Sequence, residues 1–322
     1  MPQASLTLFA LNASRAFGER VAKALECPLY PHEEREFSDG EHKARPLDSV
    51  RGHDVYVIQS LYGEPTASVN DKLCRLLFFI GALHDAGAAR VTAIVPYLCY
   101  ARKDQKSKPR DPVTTRYVAG LFEAVGVDRV VVIDVHNRAA FQNAFRCGAE
   151  LLHAEPLFVD YFADRLRHRD LVIVSPDIGG VKAAASFAET MRKRTERRIG
   201  IAMMEKYRSE GIVSGATLAG EVRGSTAIIV DDIISTGATI LRAASACREA
   251  GAEEIYAAAT HGLFAPGSEK LFDDGLISGV VVSDTVPPFR LEPGLIKGTL
   301  DIVSTAPMIA EVIGRLHGAA SL

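Results

Sequence analysis

Short apolar runs rich in β-branched residues recur along this chain, separated by longer stretches of mixed polarity. The runs lie at 6–11, 55–59, 91–95, 130–133, 171–174, 199–203, 227–230, 255–259 and 280–282, and their length and composition predict buried strands. Between them, 70–87 and 240–251 carry apolar residues at helical spacing. Each closes on a glycine, Gly87 and Gly251, the residue that most readily adopts the left-handed turn after a helix. Strands alternating with helices predict an α/β fold of mostly parallel sheets flanked by helices.

Folding the chain on itself shows a weak internal repeat. The segment 53-HDVYVIQS-60 is similar to 168-HRDLVIVSP-176, and 129-RVVVIDVHNRAAF-141 to 226-TAIIVDDIISTGA-238, each of the latter a strand, polar residues at its end, then a helix start. Two similar α/β domains are expected, 1–151 and 152–304. A last helix, 305–318, follows a further apolar strand and is expected to pack back on the first domain.

Composition narrows the class. With 322 residues and 48% hydrophobic content, the chain can bury two ordinary cores. A formal charge of -3 argues against a nucleic-acid binder, so an anionic ligand must be met by local basic clusters. The five cysteines, Cys27, Cys74, Cys99, Cys147 and Cys247, are widely spaced and include no CxxC pair, which suits a reducing compartment. The run at 6–11 follows no basic segment and is too brief for a signal peptide or a membrane span. A cytoplasmic protein with no membrane partner is expected.

The stretch 230-VDDIISTGAT-239 carries the clearest chemistry. A turn of Ser235, Thr236, Gly237, Ala238 and Thr239 opening a helix leaves backbone amides pointing outward at the positive end of the helix dipole. Such a turn suits a phosphate monoester. Asp231 and Asp232 would sit beside it, where carboxylates accept hydrogen bonds from hydroxyls, so a sugar phosphate with a cis-diol supplies both groups. No Walker lysine and no GxGxxG is present, which excludes a P-loop nucleotidase and a Rossmann dehydrogenase as explanations. An ordinary N-capped helix with surface acids is the competing reading.

Other segments are individually ambiguous. Residues 97–106 mix aromatics with Arg102, Lys103, Asp104 and Lys106, which fits either a nucleotide site or a solvated basic loop. A lone His136 is commonly structural. Asp177, Ile178, Gly179 and Gly180 read as a strand-to-helix turn, Phe37 to Glu41 as a turn around Asp39 and Gly40, and Lys206 with Arg208 as alternate cations on an extended segment. The basic run 192-RKRTERR-198 reads as the solvated end of a helix, without a catalytic role.

Taken in order, 37-FSDGE-41, 95-VPYLCYARKDQK-106, 133-IDVHN-137, 174-VSPDIGG-180, 205-EKYRSEG-211, 230-VDDIISTGAT-239 and 260-THGLF-264 resemble the ribose-phosphate diphosphokinase family, across nearly the whole chain. The resemblance implies two phosphoribosyltransferase-like domains. It also implies transfer of the β,γ-diphosphoryl group of ATP to the C1 hydroxyl of ribose 5-phosphate, with Mg2+ as cofactor. By resemblance, Phe37, Asp39, Glu41, Arg102, Lys103 and Asp104 belong to the ATP site, although Lys103 stands where the family commonly has glutamine. Asp231, Asp232 and 235–239 hold ribose 5-phosphate, Asp177 to Gly180 face the pyrophosphate, and His136 with Asp177 serve the metal. Lys206 and Arg208 begin a mobile catalytic loop. The 37–41 loop reaches a neighbouring subunit's ATP, which implies a homo-oligomer of at least two copies. Two alternatives stand beside this reading, a phosphoribosyltransferase consuming phosphoribosyl pyrophosphate and a non-catalytic regulatory paralogue.

Overall fold

The computed structural model describes residues 4–209, 212–273 and 275–318, with backbone alone for 206–209 and 212–216. The chain divides into two compact units, Met1–His153 with Thr305–Leu322, and Ala154–Ser304. The first begins β1 (Leu6–Ala10), α1 (Arg15–Ala24), β2 (His32–Glu36), β3 (His42–Pro46), β4 (Asp54–Ile58) and α2 (Val69–Asp85). It continues β5 (Arg90–Val95), α3 (Thr114–Ala124), β6 (Arg129–Ile133), α4 (Arg138–Ala144) and β7 (Gly148–Leu152). The second contains α5 (Glu155–Arg165), β8 (Leu171–Ser175), α6 (Val181–Thr195), β9 (Gly200–Ser209), β10 (Ile212–Ala219) and β11 (Thr226–Ile234). It ends α7 (Ala238–Glu249), β12 (Glu254–Gly262), β13 (Gly279–Ser283), α8 (Pro293–Ile296) and β14 (Leu300–Val303), and α9 (Ala306–His317) belongs to the first unit.

In the first unit, β1, β4, β5, β6 and β7 form a wholly parallel sheet in that order. Parallel strands need both faces covered, which explains why the central runs are near-continuously apolar rather than alternating, with Thr92 of β5 a buried exception. One face packs Phe9, Val55, Val57, Val132 and their neighbours against Leu76, Phe79 and Ile80 of α2 and Phe122 of α3. The α2 helix starts where it does because Ser68 and Asp71 form a reciprocal cap, the Asp71 amide donating to Ser68 Oγ and the Ser68 amide to Asp71 Oδ2 at 2.7 Å. Among the described residues, polar strands β2 and β3 pair only with each other, and they carry the 37–41 turn at their tip.

The first unit is closed by its own C-terminal helix. Asp54, almost fully buried at the start of β4, receives Arg90 Nε at 2.8 Å and Arg90 Nη2 at 2.6 Å, and Tyr56 Oη at 3.0 Å. His317 Nδ1 lies 2.9 Å from the same carboxylate, and Arg90 also donates to the Leu316 carbonyl, so α9 is tied to the sheet. Burial alone would push the Asp54 carboxyl up, but the Arg90, His317 and Tyr56 hydrogen bonds outweigh it and hold the group below its ordinary value of 3.8. A depressed carboxyl contributes stability above its unfolded pKa and loses it as pH falls through the folded value, so this anchor weakens below about pH 4. Asp54→Ala is expected to destabilise the protein by about 2–3 kcal/mol near neutrality, less than for a wholly buried ion pair because Arg90 keeps some hydration. Urea denaturation of parent and variant from pH 7 down to pH 3 checks this; the difference should shrink toward the acid end.

The second unit is a seven-stranded sheet, β10-β9-β8-β11-β12-β13-β14, parallel throughout except for the β9–β10 pair. Its core packs Val172, Val174, Ile229, Ala257 and Val282 against Ile240, Ala244 and Cys247 of α7. The basic run 192–198 is more than a solvated helix end. Arg192 donates to the Ile199 carbonyl at 2.7 Å and Arg194 pairs with Asp160, while Arg197 donates to the carbonyls of Leu166, Arg167 and Arg169, just past the end of α5. These contacts tie the end of α6 to the end of α5 and to the start of β9, a structural task.

Candidate active site

Strand order creates a crevice in the second unit. The chain leaves β8 through α6 to reach β9 on one side, whereas it leaves β11 through α7 to reach β12 on the other. Right-handed crossovers in opposite directions put α6 and α7 on opposite faces, so the carboxyl ends of adjacent β8 and β11 are left uncovered between them. Both glycine-containing turns singled out in the sequence, 177–180 and 235–239, begin there.

The acid pair lies inside the strand rather than after it. The β11 strand continues past the apolar run at 227–230, because Asp231, Ile233 and Ile234 still pair with Ala259, His261 and Gly262 of β12 after the ladder to β8 has ended at Ile229. Asp231 is thus held on rigid backbone. Burial raises its pKa most, and the hydrogen bond and charge of Asp232 add to this, with a further push from the charge of Asp177. The Asp232 amide donates to Asp231 Oδ1 at 2.9 Å and offsets part of the effect. Three carboxylates crowding the carboxyl-end region of neighbouring β8 and β11 favour a ligand that brings hydroxyl donors or a cation.

Gly237 explains the shape of the turn that follows. It precedes α7 with φ +76°, and no side chain caps the helix. First-turn amides of a 12-residue helix therefore face outward at its positive end. The turn rests on residues 263–265, to which the sequence alone gave no role. The Leu263 and Phe264 amides donate to the Ile234 carbonyl and the Ala265 amide to that of Ser235. A methyl group at position 237 would meet Leu271 at 2.8 Å. Ser235 and Thr239 are half-buried, Thr236 and Ala238 exposed. On the β8 side, Asp177 Oδ1 accepts the Gly180 amide at 3.0 Å, Ser175 Oγ donates to the Asp177 carbonyl at 2.6 Å, and Ile178 is exposed. A side chain at Gly180 would strike Ser175 Oγ, which keeps this turn tight against the strand end.

In the first unit, two loops at the carboxyl ends of neighbouring β5 and β6 meet. Asn137 Nδ2 donates to Asp104 Oδ2 at 2.6 Å, and its Oδ1 accepts the Ala140 amide, capping α4. His136 and Arg102 are exposed beside them. Lys103 turns into its own loop: Nζ lies 2.7 Å from Asp111 Oδ2 and 2.8 Å from Ser107 Oγ. Asp111 also accepts the Ser107 hydroxyl and the Ser107 and Lys108 amides; the Lys103 hydrogen bond, then that of the Ser107 hydroxyl and that of the Lys108 amide, hold its carboxyl down at about 2. At the ribbon tip, Phe37 is 40% exposed with the Arg35 guanidinium 5.2 Å over its ring, so one ring face is offered to solvent. Asp39 Oδ1 accepts the Glu41 amide and the Phe37 amide donates to the Glu41 carbonyl, which shapes the turn. Lys206 and Arg208 have backbone in β9, opposite Ala216 and Val213 of β10, and their side chains lie outside the described residues. Glu210 and Gly211, which follow them in the expected catalytic loop, lie wholly outside the described residues.

Comparison with known proteins extends these observations to the whole chain. Residues 6–126 match the family model for the N-terminal domain of ribose phosphate pyrophosphokinase, and 196–322 that for the phosphoribosyl synthetase-associated domain. A ribose-phosphate pyrophosphokinase of Parasynechococcus marenigrum is 37% identical over 320 residues, which span 98% of this chain and 92% of the relative. The chain belongs to the ribose-phosphate pyrophosphokinase family. A pyrophosphokinase of Caldanaerobacter subterraneus is 38% identical over 97% of this chain and 95% of its own. The crystal structure of phosphoribosylpyrophosphate synthetase from Mycobacterium smegmatis superposes with a TM-score of 0.88 at 33% identity, covering 98% of this chain and 100% of that one. Membership makes the chain a transferase and favours the diphosphokinase reading over both alternatives, the phosphoribosyltransferase and the silent paralogue.

Within this pyrophosphokinase, the structure gathers the candidate residues into separate groups. Asp177, Asp231 and Asp232 share one strand-end field, with the 235–239 turn continuing from it. Asp104 and the loop of His136 are joined in the first unit, and Phe37, Asp39 and Glu41 form a tip on the ribbon. Asn137 and Phe264 fall inside segments that carry the family resemblance but had no role of their own there, and Asp111 and Leu271 went unrecognised in the sequence. For Asn137 a signal existed: asparagine just before a helix start is a cap residue with an amide donor to spare. No local signal marks Leu271, whose role depends on the turn that packs over it.

Proposed function

We propose that the protein transfers the β,γ-diphosphoryl group of ATP to the C1 hydroxyl of ribose 5-phosphate, giving phosphoribosyl pyrophosphate and AMP. The supporting observation is the crevice between β8 and β11, where an uncapped helix N-terminus and an acid pair stand side by side. The 235–239 turn grips the 5-phosphate, and Asp231 with Asp232 orient the ribose hydroxyls, which aims the C1 oxygen. The 177–180 turn faces the diphosphoryl group. Arg102 and Asp104 serve the nucleotide, Lys103 by ordering the loop that carries them. Lys206 and Arg208 are assigned to charge developing on the transferred group. Diphosphoryl transfer requires positioning and charge stabilisation rather than a covalent nucleophile, and these residue types supply both.

Magnesium is the proposed cofactor. Among the described residues no three His, Cys, Asp or Glu side chains form a metal cage. A sparse donor set fits magnesium, which retains waters and takes phosphate oxygens from its substrate. Asp177 and His136 are each assigned a share in holding it, and bound there it would neutralise phosphate charge. The 37–41 tip is assigned to the nucleotide of a neighbouring subunit, which makes the protein a homo-oligomer of at least two copies. No helix among the described residues is long and apolar enough to cross a membrane, and a cytoplasmic location is proposed.

Incubating the protein with ATP, magnesium and ribose 5-phosphate tests the reading. AMP should appear only when both substrates are present. Pyrophosphate release from phosphoribosyl pyrophosphate and a free base, without AMP, would instead identify a phosphoribosyltransferase, and silence in both assays a regulatory subunit.

A further inference from the structure

We infer that Asn137 is a positioning residue of the nucleotide site, acting through Asp104; the inference rests on the assignment of Asp104 to ATP. The connection from β5 to α3, residues 96–113, is long for a compact domain, the kind of loop that serves a ligand and must be held. Its far half is ordered from within, by Asp111 on Lys103, Ser107 and Lys108. Thr115 Oγ1, donating to the Tyr100 carbonyl at 3.0 Å, ties its near half to α3. Asp104 is instead fixed from the next strand's loop, 33 residues away in sequence.

The geometry leaves Asn137 little freedom. Its Oδ1 is engaged by the Ala140 amide at 3.1 Å, which sets the plane of the side-chain amide and aims Nδ2 at Asp104 Oδ2, 2.6 Å away. The bond is charge-assisted, and it leaves the other carboxylate oxygen to accept from a ligand. A carboxylate ordered before its ligand arrives lowers the entropic cost of binding. The same contact fixes the spacing between Asp104 and His136, the residue before Asn137.

Two substitutions separate the tether from the helix cap. Serine at 137 retains a capping oxygen but loses the amide donor, and aspartate retains the cap while setting a like charge against Asp104. Initial rates of the full chain should show KM for ATP raised about tenfold in Asn137→Ser and further in Asn137→Asp, with KM for ribose 5-phosphate and Tm near the parent. Asp104→Ala should raise KM for ATP at least as much, and adding Asn137→Ser to it should change nothing more. If Asp104→Ala raises KM for ATP and Asn137→Ser does not, the tether is refuted while the nucleotide assignment stands. An additive double variant, or a fall in Tm with both KM values raised alike, refutes it too. If Asp104→Ala leaves KM for ATP unchanged, the assignment of Asp104 fails and the inference falls with it.

Discussion

Gly237→Ala is expected to lower the affinity for ribose 5-phosphate by about 100-fold while leaving ATP affinity within a few-fold of the parent. Two causes act together. An L-residue held at φ +76° is strained by about 1–2 kcal/mol, and the added methyl would lie 2.8 Å from Leu271, which is buried and has little room to withdraw. The chain relieves both by rotating the turn, and the amides at the start of α7 then no longer converge on one phosphate. Isothermal titration with each substrate measures the effect, and a melting curve shows that the variant is folded. Ribose 5-phosphate binding near the parental level in a folded variant would mean that this turn does not hold the phosphate.

The second large effect is expected from Asp231→Asn with Asp232→Asn. Each charge-assisted hydrogen bond to a hydroxyl is worth about 1.5–3 kcal/mol, so removing both charges should weaken ribose 5-phosphate by at least about 100-fold and ATP much less. Stability should move the other way. Burial and the neighbouring acids raise the Asp231 pKa in the fold above its ordinary 3.8. A group raised in this way binds its proton more tightly when folded, so its contribution to stability is full below the unfolded pKa and is lost as pH rises through the folded one. Asp231→Asn mimics the protonated form, and the ligand-free variant should melt higher than the parent, with the gap widening toward alkaline pH. Equal losses for both substrates, or a lower Tm at pH 8, would show that the acids serve the fold or a metal instead. A binding site that destabilises its own fold is the expected signature of charges arranged for a ligand.

Much of the architecture was legible from pattern alone. All nine apolar runs fall on strands, because a parallel strand buried on both faces must be near-continuously apolar, and that requirement is local. The helices at 70–87 and 240–251 are equally local, being set by spacing and by a terminal glycine, and the observed α2 and α7 lie within two residues of those limits. The β2–β3 ribbon was not legible. Its strands, HEERE and HKARP, are polar because they pair only with each other, and what seats them is the buried Glu34 carboxylate, which accepts the Asn12 amide and contacts His32 Nε2.

The chemistry divides in the same way. Residue types, spacing and order along the chain identified the family, since VDDIISTGAT, FSDGE and the segments between them are contiguous strings. Where β11 stops was misjudged: adjacent acids read as the end of a strand, yet β12 continues to supply hydrogen bonds as far as Ile234. Only the tertiary structure could set β8 beside β11, bring the charge of Asp177 onto Asp231, slide Leu271 under Gly237 and join Asn137 to Asp104. Hydrophobic period and helix signals are properties of neighbouring residues. Strand order, the field at a strand end and a hydrogen bond between loops depend on groups distant in sequence, and folding alone brings those together.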